Sequence, residues 1–139
     1  MLLEEKHIIL WVKIMIIINK KGDFKKANSY FEKLLEIFHK GILDKYGNLG
    51  VEILREATPK ETGETANSWY YEISHSATKA TVTWYNSHIN EGYCIAVLLQ
   101  YGHGTGSGGY VEGTDYINPA MKKVFEELAD EAWKEITSL

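Results

Sequence analysis

The stretches WYYEI (Trp69 to Ile73) and KATVTWYN (Lys79 to Asn86) alternate their side chains with a period of two, and only Ser74 to Thr78 separates them. A connection this short joins antiparallel neighbours, because a parallel pair needs a crossover of about a dozen residues or more. Trp69, Tyr71 and Ile73 then share one face of the first strand, with Tyr70 and Glu72 on the other. Ala80, Val82 and Trp84 alternate with Thr81, Thr83 and Tyr85 in the second. This hairpin is the sheet nucleus.

Both flanks of the hairpin carry a helical period. Phe24, Ala27, Tyr30 or Phe31, Leu34, Leu35, Phe38, Ile42, Leu43 and Tyr46 recur at spacings of three and four, with Asp23 as N-cap after Gly22. Val51, Ile53 and Leu54 continue the pattern, which stops by Thr58 because Pro59 disfavours helix in the residue before it. One long helical region over 23–57 is predicted, with a kink or break near Gly47. At the other end Asn118 is the expected cap and Pro119 the first helical residue. Met121, Val124, Phe125, Leu128, Ala132, Trp133 and Ile136 follow as an apolar stripe. YCIAVLLQYG, residues 93–102, fits a buried strand or a short buried helix, and its Ala, Leu and Gln content tilts it towards helix. Helices at both ends with an antiparallel sheet between them make an α+β fold.

At 139 residues and 45% hydrophobic content the chain suffices for one domain with one core. Residues 15–139 are read as that domain. Residues 1–14 are read as an N-terminal extension upstream of MIIINKKGDF, although an ordinary strand over Ile16 to Ile18 accounts for Met15 onward equally well. The run HIILWVKIMIII is interrupted by Lys13 and is shorter than the about 20 apolar residues of a membrane span, so no membrane partner is expected. A net charge of −4 and a single arginine, Arg55, remove the basic face and the guanidinium forks that sequence-specific nucleic-acid binding uses. Cys94, the only cysteine, stands beside Ile95, Ala96 and Val97 and reads as a buried, inert thiol.

Six of the twelve glycines fall between Gly102 and Gly113, in GHGTGSGGYVEG. A nucleotide-binding loop needs a Gly-Lys-Ser/Thr ending that opens a helix, and there is no lysine here. Gly104, Gly106 and Gly109 meet a dinucleotide spacing only loosely. The five histidines form no H-x-x-x-H pair, although His75, His88 and His103 could converge with Asp115. Ser107 lacks the nucleophile-elbow context, and Glu91, Glu112 and Asp115 read as surface carboxylates. Trp69 and Trp84 resemble a stacking platform for a sugar or base but more simply form core. No cofactor or metal is expected. The span therefore reads as a buried lead ending at Tyr101, a flexible stretch from Gly102 to Gly113 anchored by Tyr110 and Val111, and the start of the last helix.

The ordered set LREATPKETGETANSW, WYN, IAVLLQYGHGTGSGGYVEGTDYINPA and a closing amphipathic helix resembles the minor head-tail connection proteins of long-tailed phages, also described as tail-completion or minor capsid proteins. The resemblance covers about Met15 to Ile136. Thr58, Pro59, Thr62, Gly63, Ser68 and Trp69 match its T-P-x-x-T-G-x-x-x-x-S-W segment. Ile95, Ala96, Tyr101, Gly102, Gly104 and Thr105 match a Y-A-x-x-x-x-Y/F-G-T-G-like segment with changes, and Ile117, Asn118, Pro119 and Ala120 match the lead-in to the last helix. G-H-G-T and Y-I-N-P-A occur as such in a subgroup from prophages of Gram-positive hosts. The resemblance implies a non-enzymatic virion protein of the neck or tail end. Its partners would be copies of itself in a ring and other neck, connector or tail proteins, and it would reside in the host cytoplasm before entering the virion. It also implies an assembly loop of Tyr101, Gly102, His103, Gly104, Thr105, Tyr110 and Val111, with His103 a hydrogen-bonding residue at the hinge. The alternative is a small ligand-binding or hydrolytic domain that uses the Gly102 to Gly113 loop with His103, Asp115 and Tyr116.

Overall fold

The computed structural model describes residues 16–17, 25–37, 41–76 and 79–138. The extension at 1–14, Met15 and the Asp23 cap lie outside the described residues. In chain order the elements are β1 (Ile16–Ile17), α1 (Lys25–Ile37), α2 (Leu43–Ala57), β2 (Trp69–Ser76), β3 (Lys79–Asn86), β4 (Ile89–Asn90), β5 (Tyr93–Cys94), α3 (Ile95–Tyr101), β6 (Gly102–Gly104), β7 (Tyr110–Glu112) and α4 (Ile117–Thr137). The fold is mixed helix and antiparallel sheet.

β2 and β3 form the expected hairpin, with Tyr71 opposite Trp84 and Ile73 opposite Val82, and β1 adds to the free edge of β3. Trp69 joins Val82 and Trp84 in the core, and Tyr71 and Ile73, on the same face, pack half-buried against it. On the other face Tyr70 and Tyr85 stack at 5.3 Å between ring centroids. The core forms where this sheet meets α2 and α4, and Leu43, Leu54, Ile117, Met121 and Val124 are fully enclosed there. Trp84 joins all three layers. Its indole N–H donates to the Gly47 carbonyl of α2 at 3.0 Å, and its ring meets Phe125 of α4 edge-on at 6.1 Å.

The helical region over 23–57 is divided differently from the expectation. α1 ends at Ile37, α2 starts at Leu43, and between them Gly41 adopts φ of +108°, a conformation that L side chains rarely adopt. No break occurs near Gly47. α2 runs through Gly47 and Gly50 unbroken, because these glycines are where the Tyr71 and Trp84 rings lie against the helix backbone.

α2 and α4 are also clasped at their surface. The Tyr46 hydroxyl donates to the Glu131 carboxylate, with the Glu127 carbonyl 3.2 Å away as a second acceptor, and Lys45 donates to Glu131 at 2.6 Å. The Lys45 ammonium, then the Tyr46 hydroxyl, hold the Glu131 carboxyl below the ordinary glutamate range, and burial together with Glu131 pushes the Tyr46 phenol up. A depressed carboxyl stabilises the fold above its unfolded pKa of about 4.3, and that contribution disappears as pH falls through the folded value. Glu131→Gln should therefore flatten the acid limb of a melting-temperature profile while changing its neutral part less. An acid limb identical to wild type would rule the clasp out as a contributor. Among the described residues no helix is long and apolar enough to cross a membrane.

Candidate functional site

The residues around the glycine-rich stretch form a base and a ribbon. The base is α3, which is helical as its composition suggested. Ala96 and Gln100, four residues apart, face inward, whereas Tyr101 is turned out and 63% exposed. The buried lead thus ends at Gln100, not Tyr101: at a helical spacing the inward pair and Tyr101 cannot share a face.

Gln100, only 7% exposed, is the node of the base. Its Oε1 accepts from the backbone amides of Tyr116 at 3.1 Å and Ile117 at 3.0 Å, and its Nε2 donates to Asp115 Oδ1 at 2.7 Å. Asp115 Oδ1 in turn accepts from the amide of Asn118 at 3.3 Å and from Asn118 Nδ2 at 3.0 Å. Two further bonds close the base, from Thr114 N–H to the Leu99 carbonyl at 2.9 Å and from the Tyr116 hydroxyl to the Ala96 carbonyl at 2.8 Å. This corrects the expected start of the last helix. α4 begins at Ile117, Pro119 is its third residue, and Asn118 does not cap it. The amides left open in its first turn are met from outside the helix by Gln100 and Asp115. The Gln100 amide, then Asn118, hold the Asp115 carboxyl below its ordinary range, at the helix end where a negative charge is favoured.

The stretch expected to be flexible is a two-stranded ribbon. β6 and β7 pair Gly102 with Glu112, His103 with Val111 and Gly104 with Tyr110. Thr105 closes the turn: its amide donates to the Gly109 carbonyl at 2.9 Å, and its hydroxyl accepts from the Gly109 amide at 2.9 Å. Where the ribbon leaves the base, Gly102 has φ of +80°, and a Cβ there would lie 2.5 Å from the Val111 carbonyl oxygen. Only glycine fits that conformation and that approach. Thr105 and Gly104 are exposed, and so are Val111 and Tyr110, the latter 65% even though its hydroxyl donates to the Tyr101 carbonyl at 3.0 Å. His103 is half-buried with Nδ1 3.1 Å from the Gly104 carbonyl oxygen. Beyond the other end of α3, Tyr93 is 63% exposed and Ile89 is also exposed.

The other candidates are placed apart from one another. His88 lies against Thr65 Oγ1 at 2.8 Å and Glu64 at 3.4 Å, and His75 is in β2 opposite Ala80. Among the described residues no group of three or more His, Cys, Asp or Glu side chains converges on a metal-sized site. Asp115 Oδ1 is engaged by Gln100 and Asn118, and the Tyr116 hydroxyl is buried against Ala96. Trp69 and Trp84 are enclosed, as core aromatics are, and Cys94 is buried with its thiol pushed up by that burial.

The T-P-x-x-T-G-x-x-x-x-S-W segment acts as a set of staples. Thr58 Oγ1 donates to the Leu54 carbonyl at the end of α2 and accepts from the Trp69 indole at 2.8 Å. Asn86 of the WYN segment donates to the Thr65 carbonyl at 2.8 Å. Gln100 escaped the sequence reading, although one signal was available: a lone amide four residues after Ala96 on the inward face of an otherwise apolar run. No family model, curated protein or solved structure matches the chain.

Proposed function

We propose that this chain is a structural component of a phage neck or tail end, joining head and tail or completing the tail as one subunit of an oligomeric ring. The order and spacing of the T-P-x-x-T-G segment, WYN, G-H-G-T and Y-I-N-P-A support the reading. The observation that carries it is the ribbon, held by the Gln100 base, with its Tyr110 and Val111 and the adjoining Tyr101 of α3 in water. Clustered exposed aromatics on a braced projection mark a surface that a protein partner covers. Gly102, His103, Gly104 and Thr105 shape the projection, and the aromatics contact the partner. The chain would assemble in the host cytoplasm and remain in the virion, with no catalytic step.

Deleting the gene from the phage that encodes it should leave filled heads and finished tails unjoined in electron micrographs, with infectious titre lost and restored by the gene in trans. Intact virions from the deletion would overturn the reading. Virions assembled normally by a chain lacking Gly102 to Gly113 would overturn the role of the ribbon within it.

A further inference from the structure

The ribbon has one closed edge and one open edge. In an antiparallel pair, residues that exchange backbone hydrogen bonds alternate with residues whose N–H and C=O point away from the partner strand. The Thr105 amide bonds the Gly109 carbonyl, so two steps along the same register the bonded pair is His103 with Val111. The backbone groups of Gly102 and Gly104 on β6, and of Tyr110 and Glu112 on β7, therefore point outward. On the β6 side they are engaged: the Gly102 N–H donates to the Leu98 carbonyl of α3, and His103 Nδ1 lies 3.1 Å from the Gly104 carbonyl oxygen. On the β7 side, nothing among the described residues reaches the backbone amide or carbonyl of Tyr110 or Glu112. Tyr110, Val111 and Glu112 are all exposed. Two donors and two acceptors thus stand in line at the spacing of alternate strand residues, about 7 Å.

From this asymmetry we infer that β7 receives a third strand: an extended segment of a different virion protein pairs with Tyr110 and Glu112 through backbone hydrogen bonds. The inference rests on the assembly reading above and names the kind of element the ribbon takes. An open ladder edge selects an extended chain over a helix or a globular surface, because only another strand matches its row of alternating donors and acceptors. A two-stranded ribbon is marginal alone, and a third strand completes it. Val111 sits between the two bonding residues, where opposed side chains approach most closely, so the incoming segment carries an apolar residue there. Among the described residues each strand of this chain is already paired within it, and a second copy would offer only the same three-residue β7.

For the test, a phage lacking the gene is complemented in trans with the wild-type chain, with Glu112→Gln or with Glu112→Pro. Proline at 112 removes an outward N–H and fills the edge with its ring, yet leaves the bonds between His103 and Val111 in place. Glutamine keeps the N–H and removes the charge. Titre should stay at the wild-type level with Glu112→Gln and fall about tenfold or more with Glu112→Pro, the upper value of one ladder bond. Hydrogen exchange supplies a second measurement. In the isolated wild-type chain the Tyr110 and Glu112 amides should exchange quickly while those of His103 and Val111 are protected; in purified virions all of Tyr110 to Glu112 should be protected. Wild-type titre from Glu112→Pro, equal loss from both variants, or fast exchange of that segment in virions overturns strand addition alone. So does a dimer of the isolated chain with its Tyr110 and Glu112 amides protected, because the strand then comes from a second copy. Should isolated Glu112→Pro lose the protection of His103 and Val111, exchange in wild-type virions decides. Normal virions from a phage lacking the gene overturn the reading beneath it.

Discussion

Gly50→Ala is expected to destabilise the protein by about 2–3 kcal/mol, which for a domain of this size lowers the melting temperature by roughly 10 °C. Helix propensity predicts the opposite sign, since alanine is favoured over glycine inside a helix by about 1 kcal/mol. Geometry decides. A Cβ on Gly50 would stand 2.4 Å from Trp84 Nε1 and 2.6 Å from Cε2. The indole cannot retreat, because it is fully buried, bonded to the Gly47 carbonyl and packed on Phe125. The same substitution at Gly47 meets the Tyr71 ring at 2.4 Å; that ring is half-buried, not enclosed, but its hydroxyl is tied to Asp44 at 2.8 Å, so a loss of the same sign and no larger is expected there. Urea titration of the three proteins checks both statements, with the midpoint shifting at constant slope. A Gly50→Ala protein as stable as wild type would mean that Trp84 does not lie on that helix.

The same contact shows what a sequence reveals and what it hides. Periodicity placed Trp69, Tyr71, Ile73, Val82 and Trp84 on one sheet face, because alternation is a property of neighbours along the chain. It could not say that Gly47 seats the Tyr71 ring twenty-four residues away and Gly50 the Trp84 ring thirty-four away, so a break is expected near Gly47 where the helix in fact continues. Trp133 was assigned to the apolar stripe of α4, yet it is exposed. It lies five residues after Leu128, about 140° round a helix with 3.6 residues per turn, so the spacing itself carried the answer. The ribbon was missed for another reason. Its glycine content reads as mobility, whereas the Thr105 staple and the Gly102 approach, which order it, depend on partners across the turn. The base was hidden most completely, since Gln100 satisfies amides sixteen and seventeen residues further on.

Gln100→Ala should cost about 3 kcal/mol, because it leaves the amides of Tyr116 and Ile117 unmet at a buried helix start and removes the donor to Asp115. Hydrogen exchange locates the damage. Amides from Thr114 to Ile117 should lose protection while those of β2 and β3 keep theirs. Gln100→Glu separates the two functions of the side chain. A carboxylate still accepts from both amides and is favoured at the start of α4, but it now faces Asp115 Oδ1, which lies 2.7 Å from Gln100 Nε2 in the wild type. Two carboxylates that close cannot both ionise, so the pair shares a proton and its folded pKa rises. A raised carboxyl pKa gives stability that is present below the unfolded value and is lost as pH rises through the folded one. Wild-type Asp115 has a lowered pKa, so its contribution runs the other way, present above the unfolded value and lost as pH falls. Between about pH 4 and about pH 7 the melting temperature of Gln100→Glu should therefore drop relative to wild type as pH increases. A constant offset between the two profiles would show that Gln100 and Asp115 are not in contact, and the base that braces the ribbon would have to be sought elsewhere.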